Sequence, residues 1–178
     1  TSPPSHLATF QYDPFGHRLS KTIDGVTSYF LYDGDQILAE TDANGDVLAQ
    51  YVYGPGIDEV LRMERSGERL YYLADGLGSM TYLTDERGQI GETYRYDAYG
   101  LPTILAAQGR AVSESALGNR FLFTGREYDA ETDLFYHRAR YYHPGLGRFL
   151  SHDPIPSDFN TYRYAFNSPA TWIDLDGL

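Results

Sequence analysis

Cysteine is absent from the 178 residues. That excludes a disulfide framework, a thiolate nucleophile and a Cys-ligated metal, and leaves the redox compartment open. Long apolar runs are missing too: none approaches the roughly 20 residues that span a bilayer, and no signal peptide is visible. Cations are scarce, with 14 Lys and Arg against 25 Asp and Glu, a formal net charge of -11. Binding phosphates needs clustered positive charge, so a nucleic-acid partner is disfavoured. The first residue is Thr1 and not Met. The chain therefore reads as a fragment, and any targeting signal belongs to the missing part. Its length suits one ordinary domain with a sizeable core.

Tyrosine is abundant, at 17 residues, more than one compact core needs. Thr41-Asp42-Ala43-Asn44-Gly45-Asp46-Val47 leads to Tyr51-Val52-Tyr53. About forty residues on, Thr84-Asp85-Glu86-Arg87-Gly88-Gln89-Ile90 leads to Tyr94-Arg95-Tyr96. A repeat at this spacing marks an architecture built from one small unit. Beneath it, Asp-x-x-Gly occurs at Asp13/Gly16, Asp42/Gly45, Asp75/Gly78, Asp85/Gly88 and Asp97/Gly100. Asp first and Gly fourth is the preference of a type I turn. The apolar stretches between, such as 27–32, 47–53, 69–73, 79–84 and 91–96, alternate as strands do and place Tyr51 with Tyr53, and Tyr94 with Tyr96, on one face. The expected fold is all-β, an antiparallel meander with an aromatic ladder. Residues 104–119 carry no Tyr and are rich in Ala, Ser and Gly. They are expected to form an inserted loop or short helix between a repeat sheet at 1–103 and an irregular terminal module at 120–178.

The motifs resemble those of Rhs proteins. Tyr12-Asp13-Pro14-Phe15-Gly16 and Tyr96-Asp97-Ala98-Tyr99-Gly100 are similar to their Tyr-Asp repeats. Asp75-Gly76-Leu77-Gly78-Ser79 followed by Leu83-Thr84-Asp85 is similar to another segment of that family. Phe123-Thr124-Gly125-Arg126-Glu127-Tyr128-Asp129, Arg138-Ala139-Arg140-Tyr141-Tyr142 and Gly147-Arg148-Phe149-Leu150-Ser151 resemble the Rhs-associated core. The resemblance extends over nearly the whole chain. It implies a shell wall of curling β-sheet, a core module that plugs one end, and a variable toxin further on. That toxin is released by an intramolecular aspartic-protease reaction. The implied partners are the chain's own toxin cargo, the remaining N-terminal shell, and secretion or toxin-complex components. The implied location is secreted, or delivered to a target cell as a bacterial effector. The chain departs from the family pattern at Pro156-Ser157-Asp158-Phe159, where glycines are usual, and at Leu175, where Pro is usual.

Peptide hydrolysis without metal, Cys or Ser needs one group to activate water and another to protonate the leaving amine. Two adjacent carboxylates supply both, because they cannot both ionise freely. Motif position assigns these to Asp153 and Asp174, which meet only if the chain reverses between them, for which Asn167-Ser168-Pro169 is suited. Arg140 is the third candidate, to hold one carboxylate ionised or to stabilise the oxyanion. Gly177 would let the chain approach closely. Leu178 would fill an apolar pocket and precede the cut, so the chain reads as one that has cleaved itself in a single turnover.

Plainer readings stand beside these. Asp174 with Gly177 is another Asp-x-x-Gly turn, and Asp153 before Pro154 also suits a turn. Arg138, Arg140 and Arg148 suit pairing with carboxylates or stacking on Tyr141 and Tyr142. His137, His143 and His152 lack metal-ligand spacing, and no cofactor is implied. Gly76-Leu77-Gly78-Ser79 resembles a nucleophile elbow but lacks the second flanking Gly, so Ser79 reads as a turn residue. The rival function is a non-catalytic shell segment, structural or carbohydrate-binding through its tyrosines. Eight or nine strands are too few to close a shell, so exposed edges and association are expected.

Overall fold

The computed structural model describes residues 7–155 and 159–178. The substituted loop at 156–158 lies outside them. Each Asp-x-x-Gly pair builds the same turn. The carbonyls of Asp13, Asp42, Asp75, Asp85 and Asp97 accept the glycine N–H at 3.0 to 3.1 Å. The same aspartates use Oδ1 to accept the N–H groups of the second and fourth following residues. All five glycines have positive φ, from 74° to 92°, where an L side chain is strained.

Between turns run β1 (Ala8–Tyr12), β2 (Arg18–Ile23), β3 (Val26–Asp33), β4 (Gln36–Thr41), β5 (Val47–Tyr53), β6 (Val60–Arg65), β7 (Glu68–Ala74), β8 (Met80–Thr84), β9 (Ile90–Tyr96), β10 (Pro102–Ala106) and β11 (Ala111–Val112). They form one sheet in sequence order, antiparallel throughout, with β1 and β11 at its edges. The expected all-β meander is the observed architecture. Alternation selects the buried face: Ala49 and Tyr51, Leu70 and Tyr72, Glu92 and Tyr94 point inward while their neighbours face out. Tyr53 and Tyr96 share that face and donate their hydroxyls to the carbonyls of Ile37 at 3.0 Å and Met80 at 2.7 Å. The tyrosine ladder is therefore interior. Tyr51, Tyr53 and Tyr72 meet Phe121 edge-on.

Residues 104–119 differ from expectation. Ile104 pairs with both Tyr94 and Val112, closing a hairpin through Gly109 at φ 77°. The edge of β9 needs a partner for its backbone groups, and a strand without aromatic residues serves as well as an aromatic one. The remainder of the segment folds back onto β9, where Ser115 Oγ donates to Glu92 Oε2 at 2.7 Å and the Leu117 N–H to Oε1 at 3.2 Å.

The terminal module contains β12 (Glu127–Asp129), β13 (Leu134–His137), β14 (Arg140–His143) and β15 (Arg148–Phe149), a small antiparallel sheet. Phe121, Phe123, Phe135, Tyr142, Phe149 and Tyr164 join the inward residues of the large sheet in one hydrophobic core. The module touches distant parts of that sheet at once. Arg18 on β2 reaches Asp129 at 2.6 Å and Glu127 at 2.5 Å, while the Tyr142 hydroxyl donates to the Tyr99 carbonyl at 2.7 Å. The large sheet must therefore curl around it. Register shifts in six of its ten strand pairs supply the bend, since a bulge sharpens local twist.

Charge is buried at this seam. Arg18 is fully enclosed, Lys21 adds contacts to Asp129 at 2.8 Å and Glu131 at 2.6 Å, and Arg120 lies 3.3 Å from both Glu40 and Glu127. Burial alone would raise the Asp129 and Glu40 carboxyls, but Arg18 and Lys21 beside the first, and Arg120 and Arg65 beside the second, hold them below their ordinary values. A carboxyl depressed by folding stabilises above its unfolded pKa and ceases to as pH falls through the folded one. Urea midpoints are therefore expected to drop steeply below about pH 4. Arg18→Met, which strips Glu127 and Asp129 of their nearest cation, is expected to cost about 3 kcal/mol at neutral pH; an unchanged midpoint would contradict this account of the seam.

Candidate active site

Strands β13 and β14 turn through Arg138, whose φ of 52° brings four successive donors to one side. The terminal segment runs along them with a constant offset of thirty-seven residues. His137 Nδ1 lies 3.1 Å from the Asp174 carbonyl oxygen, and Arg138 Nη1 donates to that of Leu175 at 2.6 Å. The Ala139 N–H donates to the Asp176 carbonyl at 3.3 Å and Arg140 Nε to that of Gly177 at 2.5 Å. Four consecutive carbonyls are thus held by four consecutive residues. Sequence reasoning missed this cradle, because neither segment of it has a pattern that announces the other.

Gly177 has no substitute here. Its φ is 69°, and a Cβ would collide with the His137 carbonyl and sit 3.3 Å from Arg140 N. Leu178 corrects an expectation. It is 49% exposed at the rim of an open cleft, not enclosed in an apolar pocket. The backbone cradle fixes the register of the segment, so no side-chain pocket is needed for it.

Arg140 is the centre of the arrangement. Its guanidinium lies 3.7 Å from the centroid of the Phe149 ring, and its side chain is buried. Nη1 donates to the Thr161 carbonyl at 3.0 Å. Nη2 is 3.3 Å from Asp174 Oδ2 and 3.5 Å from Asp153 Oδ2. One nitrogen therefore joins the two carboxylates, which bracket a cation. Asp153 is placed by its N–H to the Thr161 carbonyl at 2.9 Å, and its Oδ1 accepts the Ile155 N–H at 2.8 Å. Asp174 Oδ1 accepts the N–H groups of Gly177 at 2.8 Å and Leu178 at 3.1 Å. Asp174 is thus both a turn former and a neighbour of Arg140. Burial raises its carboxyl pKa, against the N–H groups of Leu178 and Gly177 and the charge of Arg140. Asp153, Asp174 and Leu178 line one cleft of about 240 Å³.

The chain reversal that brings Asp174 back is made by Ala165, Phe166 and Asn167, all at positive φ, with Asn167 N–H bonded to the Tyr164 carbonyl at 2.9 Å. Arg138 also pairs with Asp58 of the β5–β6 loop at 2.7 Å, and Arg148 stacks over Tyr162. Ser79 is a buried turn residue whose Oγ accepts the Thr124 N–H at 3.0 Å. His152 engages Tyr162 and Thr161, whereas His137 is enclosed. Among the described residues no three His, Asp or Glu side chains gather as a metal set.

A family model described as Teneurin YD-shell matches residues 6–170. This chain belongs to the Teneurin YD-shell family. Among curated proteins similar to this YD-shell chain, the tRNA3(Ser)-specific nuclease WapA of Bacillus spizizenii is 40% identical over 180 residues, covering 96% of this chain and 7% of that protein. The probable deoxyribonuclease RhsA of Dickeya dadantii is 29% identical over 178 residues, covering 95% and 12%. The chain thus spans a small fraction of these relatives' length. The crystal structure of TcdB2-TccC3 superposes with a TM-score of 0.74 at 24% identity, covering 96% of this chain and 9% of that one. It establishes the shared YD-shell fold, and the Rhs resemblance of the motifs is upheld.

Gly177→Ala is expected to unseat the last five residues at a local cost of roughly 1–3 kcal/mol. Limited proteolysis should remove them faster while the melting temperature of the chain stays nearly constant. Unchanged protection of the segment would contradict the cradle.

Proposed function

We propose that this chain is the wall and plug of an Rhs-type toxin carrier, and that its terminal module cuts the peptide bond after Leu178 once, releasing a cargo that continues the chain. The carrier reading is supported by the two named relatives. One is called a tRNA nuclease and the other a probable deoxyribonuclease, yet both share this segment. A part common to proteins with different targets suits a carrier better than either specificity. The expected companions are the cargo and the N-terminal shell, with secretion or delivery by toxin-complex components as the route.

The cleavage reading rests on one observation: Arg140 contacts both carboxylates and the Gly177 carbonyl, one residue before the proposed cut. Asp153 acts as base toward a water in the cleft. The resulting hydroxide attacks the Leu178 carbonyl carbon, and Asp174, whose proton affinity burial raises, protonates the departing amine. When Asp174 takes up a proton its Oδ2 stops accepting from Arg140, which frees the guanidinium to face the developing oxyanion. Substrate and catalyst share one chain, so effective molarity is high and a modest site completes its single turnover. Tyr51, Tyr72 and Tyr94 lie in the interior, so they serve sheet packing and are not offered to a sugar.

The test is a chain continued past Leu178 by a reporter domain. The unaltered chain is expected to split, and Asp153→Asn and Asp174→Asn to stay whole while keeping the melting temperature within a few degrees. Because the acid is a carboxyl of raised pKa, splitting should be faster near pH 5 than near pH 8, falling as pH rises through that pKa. Equal splitting in all three chains, or in none, sinks the proposal.

A further inference from the structure

His137 is the one member of the carbonyl cradle that donates through an uncharged side chain. Its imidazole is fully buried, edge-on to Tyr142, Phe149 and Tyr164 at centroid distances of 5.6 to 5.7 Å. Nε2 has no hydrogen-bond partner among the described residues. A phenyl ring would fill this aromatic box without an unpaired ring nitrogen, so packing alone gives no reason for an imidazole. What the imidazole adds is a single donor, Nδ1, 3.1 Å from the Asp174 carbonyl oxygen. That oxygen can only accept, so Nδ1 carries the hydrogen and Nε2 is bare. Burial first, and then the positive charge of Arg126 and Arg138, keeps the ring neutral.

The consequence falls on Asp174 itself. Its carbonyl is gripped by His137, its Oδ1 by the N–H groups of Gly177 and Leu178, and its Oδ2 by Arg140. The other three donors of the cradle hold residues 175–177, so His137 is the donor that fixes the backbone from which this carboxylate hangs. We propose that His137 is a positioning residue for self-cleavage: its neutral Nδ1–H form holds the Asp174 backbone and thereby aims the Asp174 carboxyl at the bond after Leu178. This rests on the self-cleavage reading above.

Side-chain geometry supplies a discriminating test. An asparagine amide nitrogen reaches the place of Nδ1, a glutamine amide nitrogen that of Nε2, and phenylalanine offers neither. In the reporter-extended chain, His137→Asn should split within about threefold of the unaltered rate, whereas His137→Gln and His137→Phe should be roughly ten- to a hundredfold slower. His137→Phe should nonetheless melt no lower than the unaltered chain, which separates aiming from folding. If His137→Phe splits as fast as His137→Asn while the unaltered chain splits, the positioning role fails and self-cleavage stands. If the unaltered chain stays whole, the reading beneath fails and takes this inference with it. Ring-nitrogen NMR of the unaltered chain gives a readout independent of any variant's folding: a protonated Nδ1 and bare Nε2 are expected, and the opposite tautomer overturns the proposal.

Discussion

The enclosed guanidinium of Arg18, held between Glu127 and Asp129, joins the two ends of the fold. Its strand is the second of the large sheet and its partners lie on the first strand of the small one. Charges removed from water at this seam hold together only if both sheets arrive with their geometry intact, because any one of them left alone is costly. The seam therefore makes sheet and module interdependent. Aromatic packing around Phe121 and Phe135 fills the space, but apolar contacts are non-directional. The ion pairs set the angle at which the module sits.

That angle carries through to the cleft. Arg126 and Arg138 meet at Asp58, 2.9 Å and 2.7 Å away, on a loop of the large sheet. Arg138 is also one of the four donors that hold the terminal segment. The segment is thus tied to the wall through one residue and to the paired aspartates through the next donor but one, Arg140. The cradle reads backbone carbonyls, so it tolerates varied side chains at 175 and 176 while demanding Gly at 177. The departure at Leu175 from the family's usual Pro is accommodated on that account: the cradle takes the carbonyl of residue 175, which Pro and Leu both possess.

Much of this was legible from the sequence where chemistry is local. An aspartate with a glycine three residues on builds its turn from its own backbone and side chain, so five such pairs announced five turns. Alternation placed Tyr51 with Tyr53 and Tyr94 with Tyr96 because strand periodicity depends on nothing distant. The β10–β11 hairpin was hidden because its strands are short and lack aromatic residues, and its pairing is dictated by the open edge of β9. Motif resemblance assigned Asp153 and Asp174, and charge chemistry added Arg140; in the folded chain both carboxylates and the Gly177 carbonyl lie against that guanidinium. The resemblance gave no hint of His137 as a backbone donor, since an offset of thirty-seven residues exists only after folding. The pocket anticipated for Leu178 failed for a related reason: the register it was to fix is set by carbonyls, which every residue has.

The central claim, that the module hydrolyses its own chain after Leu178, is tested most directly by letting the extended chain split in heavy-oxygen water and weighing both fragments. The account predicts a first fragment ending at Leu178 with one heavy oxygen in its new carboxyl group, formed at a rate independent of protein concentration. A cut at another bond, a light carboxyl, or a rate that climbs with concentration would contradict it.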